Sequence, residues 1–130
     1  MTRDAVTTDK APKPLGPYSQ AVRAGGLVFV AGQLPLGPDQ TLVGAGDIGA
    51  QTRQALANVS AILDAAGSSM DRVVTTTVFL TRLDDFAGMS AAYAEAFSPP
   101  YPARSTVEIG RLPNGMLVEI EAVATLPDQR

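Results

Sequence analysis

A run of β-branched residues, RVVTTTVFL at 72–80, constrains the fold more than any other segment of the chain. Such side chains crowd a helix and pack well on a pleated sheet, so the run predicts a strand. Segments with helical periodicity lie on both sides of it, at 48–66 and 84–97. A strand between two helices makes each helix a crossover that returns the chain to the same sheet.

Both predicted helices have recognisable ends. Asp47 stands where the N-cap of the first helix belongs, and Gly67 follows its last periodic residue. Asp84 is the predicted cap of the second helix, which Ser98-Pro99-Pro100 ends. The apolar stripe of the second helix predicts a buried face. Its members are Phe86, Met89, Tyr93, Ala96 and Phe97.

Four further segments have the composition of strands, and glycine-bearing turn signals join them in pairs. Gly25-Gly26 separates the first pair, and Asn114-Gly115 is typical of a hairpin turn between the last pair. The four predicted strands are 18–23, 27–32, 103–110 and 116–125. Between the first pair and the first helix, the Gly- and Pro-rich segment 35–46 predicts a loop at the rim of a pocket.

The resulting order, β-β-α-β-α-β-β, predicts an α+β fold with a mixed sheet. Right-handed crossovers place both helices on one face of that sheet. Alternate residues of a strand point to opposite faces of the sheet, and in 73–80 both sets of side chains are largely apolar. A sheet with one covered face and two apolar faces requires a partner, and self-association is the simplest one.

The chain of 130 residues has room for one domain. Residues 16–126 form the predicted domain. Residues 1–15, with Pro12 and Pro14, are read as a mobile or loosely draped arm, and 127–130 as a tail. The N-terminal segment lacks the apolar core of a signal peptide and no run is long enough to span a membrane, so we expect a cytoplasmic protein without a membrane partner.

The amino-acid composition excludes several classes of catalytic and metal-binding site. The absence of cysteine and histidine excludes thiolate nucleophiles, zinc–thiolate sites and a Ser-His-Asp triad. A site for Mg²⁺ or Ca²⁺ made of carboxylates alone is compatible with this composition, but no segment has the spacing of a calcium-binding loop, and we expect no metal. A net charge of −3 and a pI of about 4.7 argue against nucleic acid as a partner.

Arg104 is an unusual residue for the start of a strand. Alternation places it with Thr106 on one face, and we expect a carboxylate of the last strand, Glu119 or Glu121, to share that face. Two interpretations follow. An ordinary cross-strand salt bridge is the more frequent arrangement, whereas a guanidinium that binds a ligand carboxylate through two parallel hydrogen bonds is the functional one.

Tyr18 and Gly32 each allow two interpretations as well. Tyr18, in GPYSQ, is either an amphipathic core residue or a ligand contact. Gly32, in VAGQLP, is either a turn glycine or a position where bare backbone approaches a small ligand.

Together, four segments resemble the RidA/YjgF family in order and spacing, over residues 11–126. They are GPYSQAV (16–22), VAGQLP (30–35), AGSSMDRVVTTTVFLTRLDDFAGMSAAYAEAF (66–97) and PARSTVEIGRLPNGMLVEIEAVA (102–124). The resemblance implies a fold like the trimeric bacterial chorismate mutase, with three sheets packed into an inter-subunit barrel and sites between subunits. It also implies hydrolysis of reactive enamines and imines, such as 2-aminoacrylate, 2-iminopropanoate and 2-iminobutanoate, to 2-keto acids and ammonia without a cofactor.

The resemblance also implies roles for individual residues. Arg104 matches the arginine that binds the substrate carboxylate, and Glu119 the glutamate that positions or deprotonates water. Tyr18 and Gly32 match positions beside the ligand, and Thr106 is included as a further substrate contact on the strand of Arg104.

Two positions depart from the archetypal members of the family. Ala31 stands where those often have serine, and Ser90 where they often have asparagine, and we include both as substrate contacts. We expect these two differences to affect which imines the protein accepts and how fast it hydrolyses them. The alternatives to catalysis by the same fold are a non-catalytic carboxylate-binding or protein-holding module and, less favoured, an endoribonuclease.

Overall fold

A computed structural model of the chain describes residues 2–127. Over this range it contains two α-helices and one six-stranded mixed sheet of order β1-β2-β3-β6-β4-β5. In chain order the elements are β1 Asp4–Val6, β2 Ala21–Ala24, β3 Leu27–Gln33, α1 Ile48–Ala66, β4 Val73–Leu80, α2 Phe86–Ala96, β5 Ala103–Glu108 and β6 Val118–Thr125. Residues 128–130 of the predicted tail lie outside the described residues.

Helix α1 has the ends that the sequence predicts. The Asp47 carboxylate accepts a hydrogen bond from the Ala50 amide at 3.1 Å. Gly67 has a φ of 84° and donates its N–H to the Asp64 carbonyl. A left-handed residue at this position ends a helix and favours glycine. None of the helices within residues 2–127 is long and apolar enough to span a bilayer.

Helix α2 begins one residue later than predicted. Asp85, not Asp84, is the N-cap residue, and a short 3-10 turn over Leu83–Asp85 leads into the helix. The Asp85 carboxylate does not cap the helix because Arg82 binds it, with 3.0 Å between Arg82 Nη2 and Asp85 Oδ1. The helix ends at Ala96, ahead of the two prolines, as predicted.

The predicted hairpin between the last two strands is wrong, because β4 lies between them. Strand β4 pairs with β5 in parallel and with β6 in antiparallel orientation. Asn114 and Gly115 do adopt positive φ values, 54° and 70°, but within a 3-10 turn of a longer connection. The connection crosses the end of β4, where the Ile109 amide donates to the Leu80 carbonyl and the Thr81 amide to the Leu117 carbonyl.

Both helices pack against one face of the sheet, as predicted. Alternate residues of the central strands are buried there with apolar residues of both helices. The fully buried members include Val59, Ile62, Leu63, Val78, Leu80, Met89, Val118 and Ile120. The opposite sheet face is open, since Phe29 and Val107 remain 46% and 41% exposed. We call this surface the open face.

The prediction of a mobile or loosely draped N-terminal arm is wrong for residues 4–12. Strand β1 pairs with β2 in this segment, and Val6 is buried. Beyond β1 the buried Gln20 carboxamide holds the backbone: Oε1 accepts from the Thr8 amide at 2.8 Å, and Nε2 donates to the Pro12 carbonyl at 2.9 Å. Polar composition suggested mobility because this anchor comes from a residue outside the arm.

The loop between β3 and α1 is anchored by buried carboxamides of α1. Asn58 Nδ2 donates to the carbonyls of Leu34 and Leu36 at 3.1 and 2.8 Å, and Oδ1 accepts from Gln54 at 3.0 Å. These bonds satisfy carbonyl groups of the loop, one of them fully buried. Leu36 in turn lines the cavity that contains Glu119.

We therefore expect Asn58→Leu to lower the free energy of unfolding by about 1–3 kcal/mol, because it removes the two hydrogen bonds to the Leu34 and Leu36 carbonyls and the acceptor of the Gln54 carboxamide. Thr52→Val is the matched control on the same helix. Thr52 is buried, and its hydroxyl has no hydrogen-bond partner within the described residues, so this change is expected to be neutral or stabilising. Urea unfolding measures both, and equal losses for the two variants would contradict the assignment.

Candidate functional site

Glu119, Tyr18 and Gly32 line one cavity where β3 ends beside the start of β6, walled by the arm segment 12–15. Glu119 lies on β6 and Gly32 on the irregular part of β3, where the pairing shifts between Val30 and Gln33. A Cβ atom at Gly32 would lie 2.9 Å from the Glu119 carboxyl carbon. Glycine at this position is therefore what lets the carboxylate lie against the backbone.

Tyr18 is half exposed and contributes its ring to the wall of this cavity, not to the core. Its hydroxyl accepts a hydrogen bond from the Leu15 amide at 3.2 Å, and its own amide donates to the Gly16 carbonyl at 2.9 Å. The core interpretation of Tyr18 is therefore wrong. Ala31 adjoins Gly32, and its amide donates to the Gln20 carbonyl at 2.9 Å, so its backbone is held beside the cavity.

Burial raises the pKa of Glu119 above its ordinary value of 4.5, and the nearby charge of Glu121 raises it further. Desolvation disfavours the charged form of a carboxyl group, and a like charge acts in the same direction. A carboxylate with a raised pKa is a stronger base than an ordinary glutamate, which suits it to accept a proton from water.

Arg104 lies elsewhere, against α2. Its guanidinium carbon is 4.7 Å from the Tyr93 ring centroid and 5.4 Å from that of Phe86. Nη2 donates to the Ser90 hydroxyl at 3.0 Å, and Nη1 approaches the Met89 sulfur at 3.9 Å. Ser90, Tyr93 and Arg104 line a cavity of about 380 Å³, together with Tyr101.

The cross-strand salt bridge expected from spacing is absent. Within residues 2–127 the ion pairs are Arg53–Glu95 and Arg82–Asp85, and no carboxylate lies within 4.0 Å of Arg104. Half-buried charge without a counter-ion is unfavourable, and here a hydroxyl, a sulfur and two aromatic rings face the guanidinium instead. The arginine is therefore oriented by neutral groups and keeps donors for a further acceptor.

The expectation that Arg104 and Glu119 share one sheet face is also wrong. Arg104 pairs with Thr76, which is buried beneath α2, whereas Glu119 pairs with Phe79, which points to the open face. The expectation assumed direct pairing of their strands, and the intervening β4 changes the register. Thr106 pairs with Val78 and so lies on the face of Arg104.

The predicted site residues thus form two groups in one chain. The carboxylate group contains Tyr18, Ala31, Gly32 and Glu119, and the arginine group contains Ser90, Arg104 and Thr106. Within residues 2–127 no three acidic side chains lie close enough to hold a metal ion.

Two contacts of Arg104, Phe86 and Tyr93, were predicted only as members of a buried stripe. Phe86 is in fact 42% exposed, whereas Tyr93 is buried. A signal for their second role is present in the sequence, because Phe86, Ser90 and Tyr93 follow each other at steps of four and three, which place side chains on the same helix face.

Comparisons with known proteins agree with this architecture. A family model described as Endoribonuclease L-PSP matches residues 8–126. A crystal structure described as RidA from the Antarctic bacterium Psychrobacter sp. is 41% identical, with a TM-score of 0.89, and the match covers 95% of this chain and 99% of that one. The chain belongs to the RidA/YjgF family. The resemblance read from the four sequence segments is confirmed.

Two further similar proteins match almost the whole length of this chain. A RutC family protein of Pyrococcus horikoshii is 50% identical over 122 residues, which cover 94% of this chain and 97% of that protein. The crystal structure of E. coli TdcF with bound serine is 39% identical, with a TM-score of 0.86, over 94% of this chain and 98% of that one.

The raised pKa of Glu119 predicts a pH-dependent effect on stability. Ionised Glu119 opposes folding above its raised pKa, and this cost disappears as the pH falls below the unfolded value near 4.5. Glu119→Gln removes the cost, so we expect a higher unfolding temperature than the parent at pH 7 and no difference near pH 4. Glu121→Gln is the control. It removes only the repulsion between the two carboxylates, so the rise in unfolding temperature at pH 7 should be smaller. A Glu119→Gln variant that is less stable than the parent at pH 7 would contradict the shift.

Proposed function

We propose that the protein hydrolyses reactive enamine and imine intermediates of the 2-aminoacrylate, 2-iminopropanoate and 2-iminobutanoate type to 2-keto acids and ammonia. The observation that carries this proposal is an oriented arginine without a carboxylate partner among the described residues, in a chain that also holds a half-buried carboxylate with a raised pKa. This pair suits a small molecule that has a carboxylate beside an electrophilic C=N carbon.

Arg104 has the role of binding the substrate carboxylate. A guanidinium offers two parallel N–H groups to a carboxylate, and Ser90 occupies only one edge of this one. The serine bound to TdcF supports the proposal, because serine has the same α-carboxylate as the imino acids and binds to a relative with the same fold.

Glu119 has the role of activating water. It accepts a proton from water as the water oxygen bonds to the carbon of the protonated imine, whose C=N π electrons move to nitrogen. It returns this proton to the nitrogen, and as the C–N bond breaks and ammonia leaves, the new hydroxyl group releases its own proton and becomes the keto oxygen. An imine is already electrophilic, so orientation of the substrate and water accounts for much of the required acceleration. The absence of histidine and cysteine is compatible with this chemistry.

A complete site requires two copies of the chain, because Arg104 and Glu119 lie on opposite faces of one sheet. We propose a homotrimer in which the open faces form a barrel and each cleft combines Arg104 of one subunit with Glu119 of its neighbour. The exposed apolar side chains of Phe29 and Val107 on the open face support this assembly.

Direct measurement of keto acid release from freshly generated 2-iminobutanoate tests the activity. We expect the parent to accelerate release over buffer and Arg104→Ala to abolish the acceleration. Arg104→Lys keeps the charge but loses the paired donors, so kcat/KM should fall by about a hundredfold. Arg53→Lys is the matched control, since Arg53 is an exposed arginine paired with Glu95, and it should match the parent. Full activity of Arg104→Ala would refute the proposal.

Mixed assembly tests the shared cleft. Arg104→Ala and Glu119→Gln are each expected to be inactive alone but to form active sites after unfolding and refolding together. Random assembly at equal amounts gives about a quarter of the parent's sites, because one subunit must supply Arg104 and its neighbour Glu119. Light scattering should give three times the chain mass of 13.5 kDa. A monomeric mass, or no recovered activity from mixed trimers, would rule out the shared cleft.

Two alternatives predict different outcomes from the same protein. A non-catalytic binding module binds carboxylates at Arg104 without accelerating keto acid release. The name of the matching family model favours an endoribonuclease as a second candidate. That activity requires salt-sensitive RNA binding and RNA cleavage that Glu119→Gln abolishes. The net charge of −3 makes it the weaker candidate.

A further inference from the structure

Arg104 ends a chain of contacts that begins in the core beneath α2. Thr76 of β4 is buried, and its hydroxyl lies 2.7 Å from the Tyr93 hydroxyl. The Tyr93 ring in turn lies under the guanidinium of Arg104, at 4.7 Å from centroid to carbon. Thr76 and Arg104 are themselves register partners on β4 and β5. The three residues thus close a loop of contacts between two strands and α2.

We propose that Tyr93 is a positioning residue for carboxylate binding, which acts by holding the Arg104 guanidinium over its ring. The inference rests on the proposed role of Arg104 as the carboxylate-binding group. It adds a residue that the sequence places only in the buried stripe of α2.

The need for such a residue follows from the arginine itself. An arginine side chain has many rotamers, and ordering it on binding costs free energy that reduces affinity. An aromatic face attracts the cation and restricts the plane of the guanidinium, while the Ser90 hydroxyl restricts its rotation. The orientation therefore exists before the ligand binds.

The hydroxyl of Tyr93 explains why a tyrosine suits this position. A buried phenol needs a hydrogen-bond partner, and Thr76 provides it from the strand next to β5. The bond ties the ring to the sheet that carries Arg104, so helix and sheet cannot shift without moving the ring. Burial raises the pKa of Tyr93, which keeps the phenol protonated over the working pH range.

The test compares Tyr93→Leu with the parent in two measurements. The first is the dissociation constant of pyruvate, a keto acid product, by calorimetry. The second is steady-state hydrolysis of 2-iminobutanoate. We expect the pyruvate dissociation constant and KM both to rise about tenfold, with kcat within about twofold. Tyr93→Phe keeps the ring but loses the bond to Thr76, so it should recover most of the loss, with both values within about threefold of the parent.

A structural control separates positioning from general damage. Phe97 packs against Tyr93 with ring centroids 4.7 Å apart, and it is a comparable buried aromatic. Phe97→Leu should lower the unfolding temperature as Tyr93→Leu does, yet leave pyruvate affinity unchanged. Equal loss of pyruvate affinity in both variants would overturn the inference. If Tyr93→Leu does not fold, Phe86→Leu replaces it in the test. Phe86 is the exposed aromatic ring that also faces the Arg104 guanidinium, and its loss is expected to weaken pyruvate affinity about threefold.

Arg104→Ala distinguishes failure of this inference from failure of the proposed function. If Arg104→Ala loses pyruvate binding while Tyr93→Leu and Phe86→Leu retain the parent's affinity, the positioning role is overturned and carboxylate binding by Arg104 stands. If Arg104→Ala binds pyruvate as tightly as the parent, the role of Arg104 is refuted, and with it any role of Tyr93 through that residue.

Discussion

The pairing of β4 with β5 on one edge and β6 on the other is the constraint on which the rest of the structure depends. It buries Val78 and Leu80 at the centre of the core, beneath the two helices. It also decides where charged side chains point. Because β4 separates the two strands, Arg104 faces α2 and Glu119 faces the open side, so one chain presents the two groups on different surfaces.

Each of the two groups is incomplete in a way that a ligand could correct. Among residues 2–127, Arg104 has aromatic and hydroxyl contacts but no carboxylate partner, and Glu119 has a raised pKa and no ion-pair partner. Unpaired charge reduces stability and is unusual away from functional sites. In the proposed cleft, a substrate carboxylate would pair with Arg104 and a water molecule would hydrogen-bond to Glu119. The proposed chemistry therefore depends on the proposed assembly, because only neighbouring subunits bring the two groups together.

The site could be predicted residue by residue only through the resemblance to a family. Alternation and composition by themselves favoured a salt bridge for Arg104 and a core position for Tyr18, and neither occurs between residues 2 and 127. The anchoring of the arm by Gln20 could not be predicted, because a buried carboxamide is not distinguishable in sequence from an exposed one. Its partners become evident only when the arm is folded against β2.

The sequence by itself determined the elements with strong local signals: α1 between Asp47 and Gly67, the β-branched strand β4, and two helices on one face of a mixed sheet. These depend on side-chain periodicity, caps and crossover handedness, which short-range physics sets. Only the tertiary structure decided that β4 separates β5 from β6, and therefore that Arg104 lies over Tyr93. Strand order depends on hydrogen bonds between residues far apart in the chain, and the local signal at Asn114-Gly115 fits a tight turn in either arrangement.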